Sequence, residues 1–170
     1  MTRRQFVTRG LGWSVLSNQM VANAAEISLH CTPAPSFSVP LSEGVWQSQK
    51  FPVGKHAYRV SLEVDRWMPL EELDCDLGPP RYGAECKKPP LLDLEWKIWD
   101  GATLVKSRAA EPIRASAWSS TSTSCVLGGF EGRRNGYFTF ALDVRKDAGR
   151  LKDLHPRVHI EKDPGYWCWL

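Results

Sequence analysis

Three carboxylates around a segment rich in proline and glycine have the spacing of calcium ligands. Asp74, Asp76 and Glu85 occupy positions 1, 3 and 12 of a twelve-residue calcium loop, in which hard Ca²⁺ takes oxygen ligands. Position 6 of such a loop must be glycine for its sharp turn, and here it is Pro79. The mismatch favours a solvated loop, closed by a disulfide, over a calcium site.

Two histidines and a glutamate near the end of the chain have the chemistry to bind zinc or to exchange protons. His155, His159 and Glu161 alternate with Val158 and Ile160, which is the pattern of a strand with one buried face. At about 3.3 Å per residue, two such histidines in one strand lie roughly 13 Å apart. One metal ion cannot bridge that distance, so we predict an ordinary solvated strand face.

No arrangement of residues indicates a catalytic nucleophile. The sequence contains no G-x-S-x-G motif and no cysteine with a recognisable histidine context. A pair of carboxylates for glycoside hydrolysis cannot be assigned either. We therefore predict that the protein is not an enzyme and that it uses no cofactor.

The cysteines predict disulfides if the protein is exported. They are Cys31, Cys75, Cys86, Cys125 and Cys168. None of them forms a C-x-x-C pair, which disfavours zinc and thioredoxin-like chemistry. The most local pair, Cys75–Cys86, closes the loop rich in proline and glycine. We predict Cys125–Cys168 as the second pair, and Cys31 is then free or forms an intermolecular bond.

Tryptophans supply the candidates for a binding surface. Seven follow residue 24: Trp46, Trp67, Trp96, Trp99, Trp118, Trp167 and Trp169. An exposed tryptophan can stack on a sugar ring or anchor a protein partner. Trp96 shares the alternation of Leu94 and Ile98, so we expect it in the core. Trp99, Trp167 and Trp169 are the predicted binding residues, and the alternative is that they too fill the core.

The elements that must position these residues are short strands. Residues 56–67, 91–107 and 133–147 alternate apolar and polar side chains, and Asp100-Gly101 divides the second segment as a hairpin turn would. Residues 58–66 and 138–146 resemble each other, as two core strands of one sandwich would. We predict an all-β antiparallel β-sandwich, jelly-roll-like, with one or two single-turn helices, near 71–73 and 146–154.

The first 24 residues have the pattern of an export signal. A basic front that includes Arg3 and Arg4 precedes a short apolar stretch, and 22–24 reads Ala-Asn-Ala. The paired arginines resemble the twin-arginine motif, with the general secretory route as the alternative. We predict cleavage after Ala24, a single domain over 25–170 without a transmembrane segment, and a periplasmic or secreted location.

The charge balance excludes one class of partner. The leader holds three of the 22 basic residues and none of the 19 acidic ones, so residues 25–170 have as many bases as acids. A nucleic-acid-binding protein needs an excess of positive charge on one face to neutralise phosphates. We therefore expect a protein or a glycan of the cell envelope as the partner, and no nucleic acid.

Two segments resemble a known family. LLDLEWKIWDGATLVKS (91–107) and YFTFALDVRKDAGRLKDLHPRVHIEKDPG (137–165) are similar to small exported β-sandwich proteins of proteobacteria that carry a domain of unknown function. The resemblance implies a jelly-roll-like fold and an envelope location, and it brings no catalytic residues.

These observations lead to a functional hypothesis. We expect an exported, non-enzymatic β-sandwich that binds a macromolecular partner in the envelope, with toxin neutralisation by an immunity protein as one specific form. The alternative is a carbohydrate-binding module that uses exposed tryptophans.

Overall fold

The structure, a computed structural model, describes residues 35–67, 69–78, 86–110 and 113–163. Within these ranges the side chains of 70, 71 and 113–118 are not described. The described residues belong to one compact unit, Pro33–Leu170. The leader and the predicted cleavage after Ala24 lie outside the described residues.

The described part of the chain forms ten strands, one α-helix and one 3-10 helix. The strands are β1 Ser36–Ser38, β2 Gly44–Gln47, β3 Phe51–Val53, β4 Ala57–Asp65, β5 Leu94–Asp100, β6 Thr103–Ala109, β7 Ile113–Trp118, β8 Ser122–Glu131, β9 Gly136–Val144 and β10 Arg157–Lys162. The helices are α1 Leu70–Leu77 and the 3-10 helix Gly149–Asp153. Helix α1 has two turns where the sequence predicted one, and Leu73 and Leu77 on it are fully buried.

The strands form two antiparallel sheets with the connectivity of a jelly roll. Sheet A has the order β1-β10-β4-β8-β7, and sheet B has the order β2-β9-β5-β6, with β3 also paired to β9. The pairings β1–β10, β2–β9, β4–β8 and β5–β6 are nested, as in one long hairpin rolled into two sheets. The predicted all-β antiparallel sandwich is confirmed.

The alternating patterns point to the core as predicted. On β4, Tyr58 to Val64 bury every second side chain, and on β9 Phe138 to Val144 do the same. Each of these strands is an inner strand of its sheet. The likeness of residues 58–66 and 138–146 therefore reflects two strands in equivalent environments, since each is paired on both sides and covered by the opposite sheet.

The β5–β6 hairpin is also confirmed, with one irregularity. Its two-residue turn is Gly101-Ala102, one position later than the predicted Asp100-Gly101, because Asp100 still pairs with Thr103. Gly101 has a φ of +59°, as this tight turn requires. A β-bulge between Ile98 and Trp99 places Val105 as an extra residue on β6. Because of this bulge, the β6 residues beyond it lie on the opposite face from the one that a continuous alternation would give them. The sequence pattern alone does not reveal this change.

A disulfide joins Cys75 at the end of α1 to Cys86, with their Cα atoms 5.5 Å apart. The predicted local pair is thus formed. Arg150 of the 3-10 helix binds Glu72 and Asp76 of α1, so an ion pair ties the same helix to the segment before β10.

The structure corrects the prediction that Cys125 forms the second disulfide. It is a free cysteine, fully buried on the inner face of β8, and burial raises the pKa of its thiol to about 12. The side chain points between the two sheets, where it packs as a small apolar group. Its predicted partner Cys168 and the unassigned Cys31 lie outside the described residues.

Candidate functional site

A groove opens between the edge strand β6 and the adjoining parts of β4 and β8. Its volume is about 900 Å³. Tyr58, Phe130 and Phe138, each almost fully buried, contribute aromatic rings to its floor. Residues 103–106 of β6 form one wall, and Asp163 lies at the opposite rim. This concavity, which we call the β6 groove, has the apolar floor expected of a binding site.

The floor of the β6 groove is held rigidly. The Tyr58 and Phe130 rings stack with centroids 5.1 Å apart and planes inclined by 11°. The backbone N–H of Gly54 donates to the Tyr58 hydroxyl at 2.8 Å. Burial raises the pKa of Tyr58, and the Gly54 bond only partly offsets this effect, so the phenol is neutral at physiological pH.

The rim of the β6 groove carries charges of both signs. Arg134 binds Asp100 through its Nε at 2.8 Å. Lys106 and Arg133 also line the groove, and among the described residues neither has an ion pair. The apolar floor is therefore bordered by the cations Lys106 and Arg133 and by the acids Glu131 and Asp163.

Trp99 belongs to a second surface, on the outer face of sheet B. It pairs in register with Leu104 on β6 and with Thr139 on β9, and Tyr137 precedes Thr139 by two residues. Trp99, Leu104 and Tyr137 therefore share one face and form what we call the Trp99 patch. Tyr137 is 68% exposed and Leu104 46% exposed, whereas Trp99 itself is half-buried.

The remaining tryptophans have different surroundings. Trp96 is fully buried, as predicted, and Trp46 is half-buried with its ring 6.3 Å from that of Phe140. Trp67 is 70% exposed just beyond β4. The other two predicted binding residues, Trp167 and Trp169, lie outside the described residues, as does everything after Asp163, the acid at the groove rim.

Sequence reasoning missed Tyr137 and the β6 groove. The sequence pattern could have identified Tyr137 as exposed. It lies one residue before the buried Phe138 in the same strand, so its side chain faces outward. The groove depends on how β6 of sheet B packs opposite β8 of sheet A. No local sequence pattern shows that these two strands are neighbours. Leu104 joins the Trp99 patch through the β6 bulge, which the sequence does not show.

The calcium candidates are not gathered into one site. Asp74 and Asp76 lie two residues apart on α1, and side chains at that spacing point to different sides of a helix. Asp76 is bound by Arg150, and Glu85 lies outside the described residues. Within the described ranges, no group of three His, Cys, Asp or Glu side chains is arranged to hold a metal ion.

The two histidines also contact different partners. His155 precedes β10 rather than belonging to it, with a φ of +46°, and its Nδ1 lies 2.8 Å from Asp65 Oδ2. His159 is on the strand, 3.8 Å from Glu63 Oε1. Arg157 between them binds both carboxylates. Arg157 thus forms ion pairs with Glu63 and Asp65, and the two histidines contact the same carboxylates, in one surface network.

This network predicts a specific dependence of stability on pH. The hydrogen bond from His155, and then Arg157, lower the pKa of Asp65. Asp65 therefore stabilises the folded state above its unfolded pKa of about 3.9, and this contribution disappears as the pH falls through the lower folded value. We expect Asp65→Asn to lower the urea midpoint at pH 6 and to match the wild type near pH 2.

The control for this prediction is Asp93→Asn. Asp93 is exposed and has no ion pair in the part of the chain that the structure describes. We expect its urea midpoint to follow the wild type at both pH values. An Asp65→Asn variant as stable as the wild type at pH 6 would contradict the predicted role of Asp65.

Fold and site together define a class: a jelly roll that presents an aromatic groove and an exposed aromatic patch around one edge strand. No protein-family model matches the chain, and no curated protein matches it. A crystal structure of a protein from Sulfurospirillum deleyianum is similar in fold, with a TM-score of 0.56 and 10% identity over 78% of this chain and 99% of that one. The likeness concerns the fold alone. The resemblance to the exported proteobacterial family stays a prediction.

No helix among the described residues has both the length and the apolar character needed to cross a membrane.

Proposed function

We propose that this protein is an exported, non-enzymatic binding protein that holds a protein partner of the cell envelope in the β6 groove. The observation that carries the proposal is the groove itself: about 900 Å³, with the stacked Tyr58 and Phe130 in its floor and charged residues on its rim. An apolar centre surrounded by polar groups is the anatomy of a protein-binding surface.

The scaffold supports this role. The groove is built on paired strands of both sheets, and its floor rings are buried and packed. A partner therefore meets a surface that is already ordered, which reduces the entropy lost on binding.

Two features support the exported location within this proposal. The first 24 residues have the pattern of a cleaved signal. The Cys75–Cys86 disulfide is of the kind that persists in oxidising compartments such as the periplasm.

Reversing two cations of the groove tests the proposal. We expect Lys106→Glu with Arg133→Glu to slow association with the partner about tenfold at low salt, because rim charges act mainly on the association rate. The partner is captured from a cross-linked envelope fraction, and its association rate is then measured by interferometry with purified proteins. Lys87→Glu with Lys88→Glu is the control, since these exposed lysines change the net charge equally without lining the groove. An equal loss in both double variants would contradict binding in the groove.

The finer hypothesis of an immunity protein makes this partner an antibacterial toxin. A deletion strain would then be killed by its sister cells. Its survival would contradict the toxin assignment and leave binding in the groove unaffected.

The Trp99 patch favours a second candidate function, recognition of a glycan. Its Tyr137 is two-thirds exposed beside a half-buried tryptophan, and aromatic faces stack on sugar rings. We expect Tyr137→Ala and Trp99→Ala each to weaken binding to insoluble envelope glycan at least tenfold in a sedimentation assay. Trp67→Ala is the matched control, because Trp67 is as exposed as Tyr137 but lies off the patch. If all three variants bind alike, the patch is not a glycan site.

A further inference from the structure

The edge of sheet B at β6 is the longest edge in the described structure. Strand β6 has seven residues and ends the order β2-β9-β5-β6. The other edges are shorter: β1 has three residues, β2 four and β3 three. Strand β7 has six residues, but two register shifts interrupt its pairing with β8. Strand β6 has one such shift, at Val105, and its residues 106–109 pair regularly with β5. An unpaired regular edge is a template for another strand.

The register shows which backbone groups of β6 face away from the sheet. The N–H of Ala110 donates to Leu94 at 2.8 Å, and beyond this bond Glu95 pairs with Ala109 and Lys97 with Ser107. In an antiparallel ladder, bonded and non-bonded pairs alternate. The N–H and C=O groups of Ser107 and Ala109 therefore point to the open edge.

The charge of β6 indicates which kind of strand fits there. Lys106 and Arg108 are register partners of Ile98 and Trp96, so they lie on the side of β6 that faces sheet A. The strand sequence TLVKSRA contains no acid. Among the described residues, neither cation has an ion pair. Opposite charges on facing strands stabilise a pair, whereas like charges destabilise it.

We propose that β6 receives an extended, acidic segment of the partner protein as an added strand of sheet B. The inference rests on the proposed binding of a protein in the β6 groove and specifies how that partner is held. Backbone groups of Ser107 and Ala109 bond the added strand, and its acidic side chains face Lys106 and Arg108. These acidic side chains lie on the side of the added strand that faces sheet A, where Lys106 lines the groove.

The same charges oppose pairing with a second copy of the chain. Two adjacent β6 strands would bring Lys106 and Arg108 of both copies to one seam, with no acid on either strand to compensate. The charges of β6 therefore disfavour pairing with a second copy of β6 and favour pairing with an acidic strand.

A selection experiment tests the inference without knowledge of the partner. A phage-displayed library of random dodecapeptides is selected on the full chain, and bound peptides are measured by fluorescence anisotropy. We expect enrichment of peptides with Asp or Glu at alternate positions. We expect Ser107→Pro, which removes an edge N–H, to weaken their binding at least tenfold. Ser107→Ala, which loses the hydroxyl but keeps the N–H, should bind like the wild type.

A second measurement requires no variant and covers the case in which Ser107→Pro fails to fold. In the wild-type chain, hydrogen exchange of the Ser107 and Ala109 amides should slow at least tenfold when a selected peptide is added. Peptides that lack acids, that bind Ser107→Pro equally or that leave these amides unprotected would overturn strand addition. These outcomes would not contradict binding in the groove. The variant Lys106→Glu with Arg133→Glu tests that binding separately. A library that yields no binder would also overturn strand addition.

Discussion

Replacing Trp96 with alanine is expected to lower the free energy of unfolding by about 3–5 kcal/mol. The ring is fully buried between the sheets, and its Nε1 donates to the carbonyl of Leu127 at 3.1 Å. Alanine would leave a large cavity and a buried carbonyl without its partner. Since domains are stable by only about 5–15 kcal/mol, the variant should retain a fraction of the native stability. Urea unfolding followed by circular dichroism measures the change.

The structure around Trp96 shows how tightly this position is packed. Gly128 on β8 has a φ of +146°, and a Cβ there would lie 2.8 Å from the Trp96 ring. The strands thus approach each other where one has its largest side chain and the other has none. A closely packed site cannot collapse to fill a cavity, which raises the cost of truncation.

Trp99→Ala is the control for this prediction. It removes the same side chain from the same strand, but from the half-buried outer face. We expect a loss of about 1 kcal/mol, in the ordinary range of single substitutions. Equal losses for Trp96→Ala and Trp99→Ala would contradict the assignment of Trp96 to the core.

Removing the Cys75–Cys86 disulfide is expected to lower the free energy of unfolding by about 3 kcal/mol. The bond closes a segment with a sequence separation of 11 and anchors the end of α1, whose Leu73 and Leu77 are fully buried. Without it, the unfolded chain gains conformational freedom. In thermal unfolding, Cys75→Ser with Cys86→Ser should lower Tm by roughly 10 °C.

A reducing agent and a third cysteine provide the controls. Dithiothreitol should destabilise the wild type to the level of the double variant and leave the double variant unchanged. Cys125→Ala removes the buried free thiol and should retain the sensitivity to reduction. A wild type whose Tm is unaffected by dithiothreitol would contradict a stabilising role for the bond.

The two candidate surfaces are neighbours and must be separated by the choice of variants. Leu104 belongs to the Trp99 patch and also lines the β6 groove, so its substitution would affect both. Lys106 and Arg133 line the groove only, and Tyr137 lies on the patch only. Experiments that compare these residues distinguish a protein partner in the groove from a glycan on the patch.

Some features were predictable because they are encoded locally. The alternation on β4, β5 and β9 identified which side chains point inward, and the Asp100-Gly101 pair located the β5–β6 hairpin to within one residue of its turn. Cys75 and Cys86 are close in sequence, so their pairing needed no knowledge of the fold. The same alternation placed Trp96 in the core.

Other features depend on strands that are far apart in sequence. The sequence predicted one helical turn after Pro69, but burial of Leu73 and Leu77 extends α1 to eight residues. It also predicted a bond for Cys125, whose sulfur in fact lies between the sheets.

By itself, the sequence determined strands β4, β5 and β9 with their buried faces, one hairpin and one disulfide, because each depends on residues close together in the chain. Only the tertiary structure decided the strand order, the open edge at β6 and the groove beneath it. Strand pairing in a jelly roll joins β1 to β10 and β4 to β8. Such contacts depend on the burial of whole faces against each other, and no local pattern specifies which faces will meet.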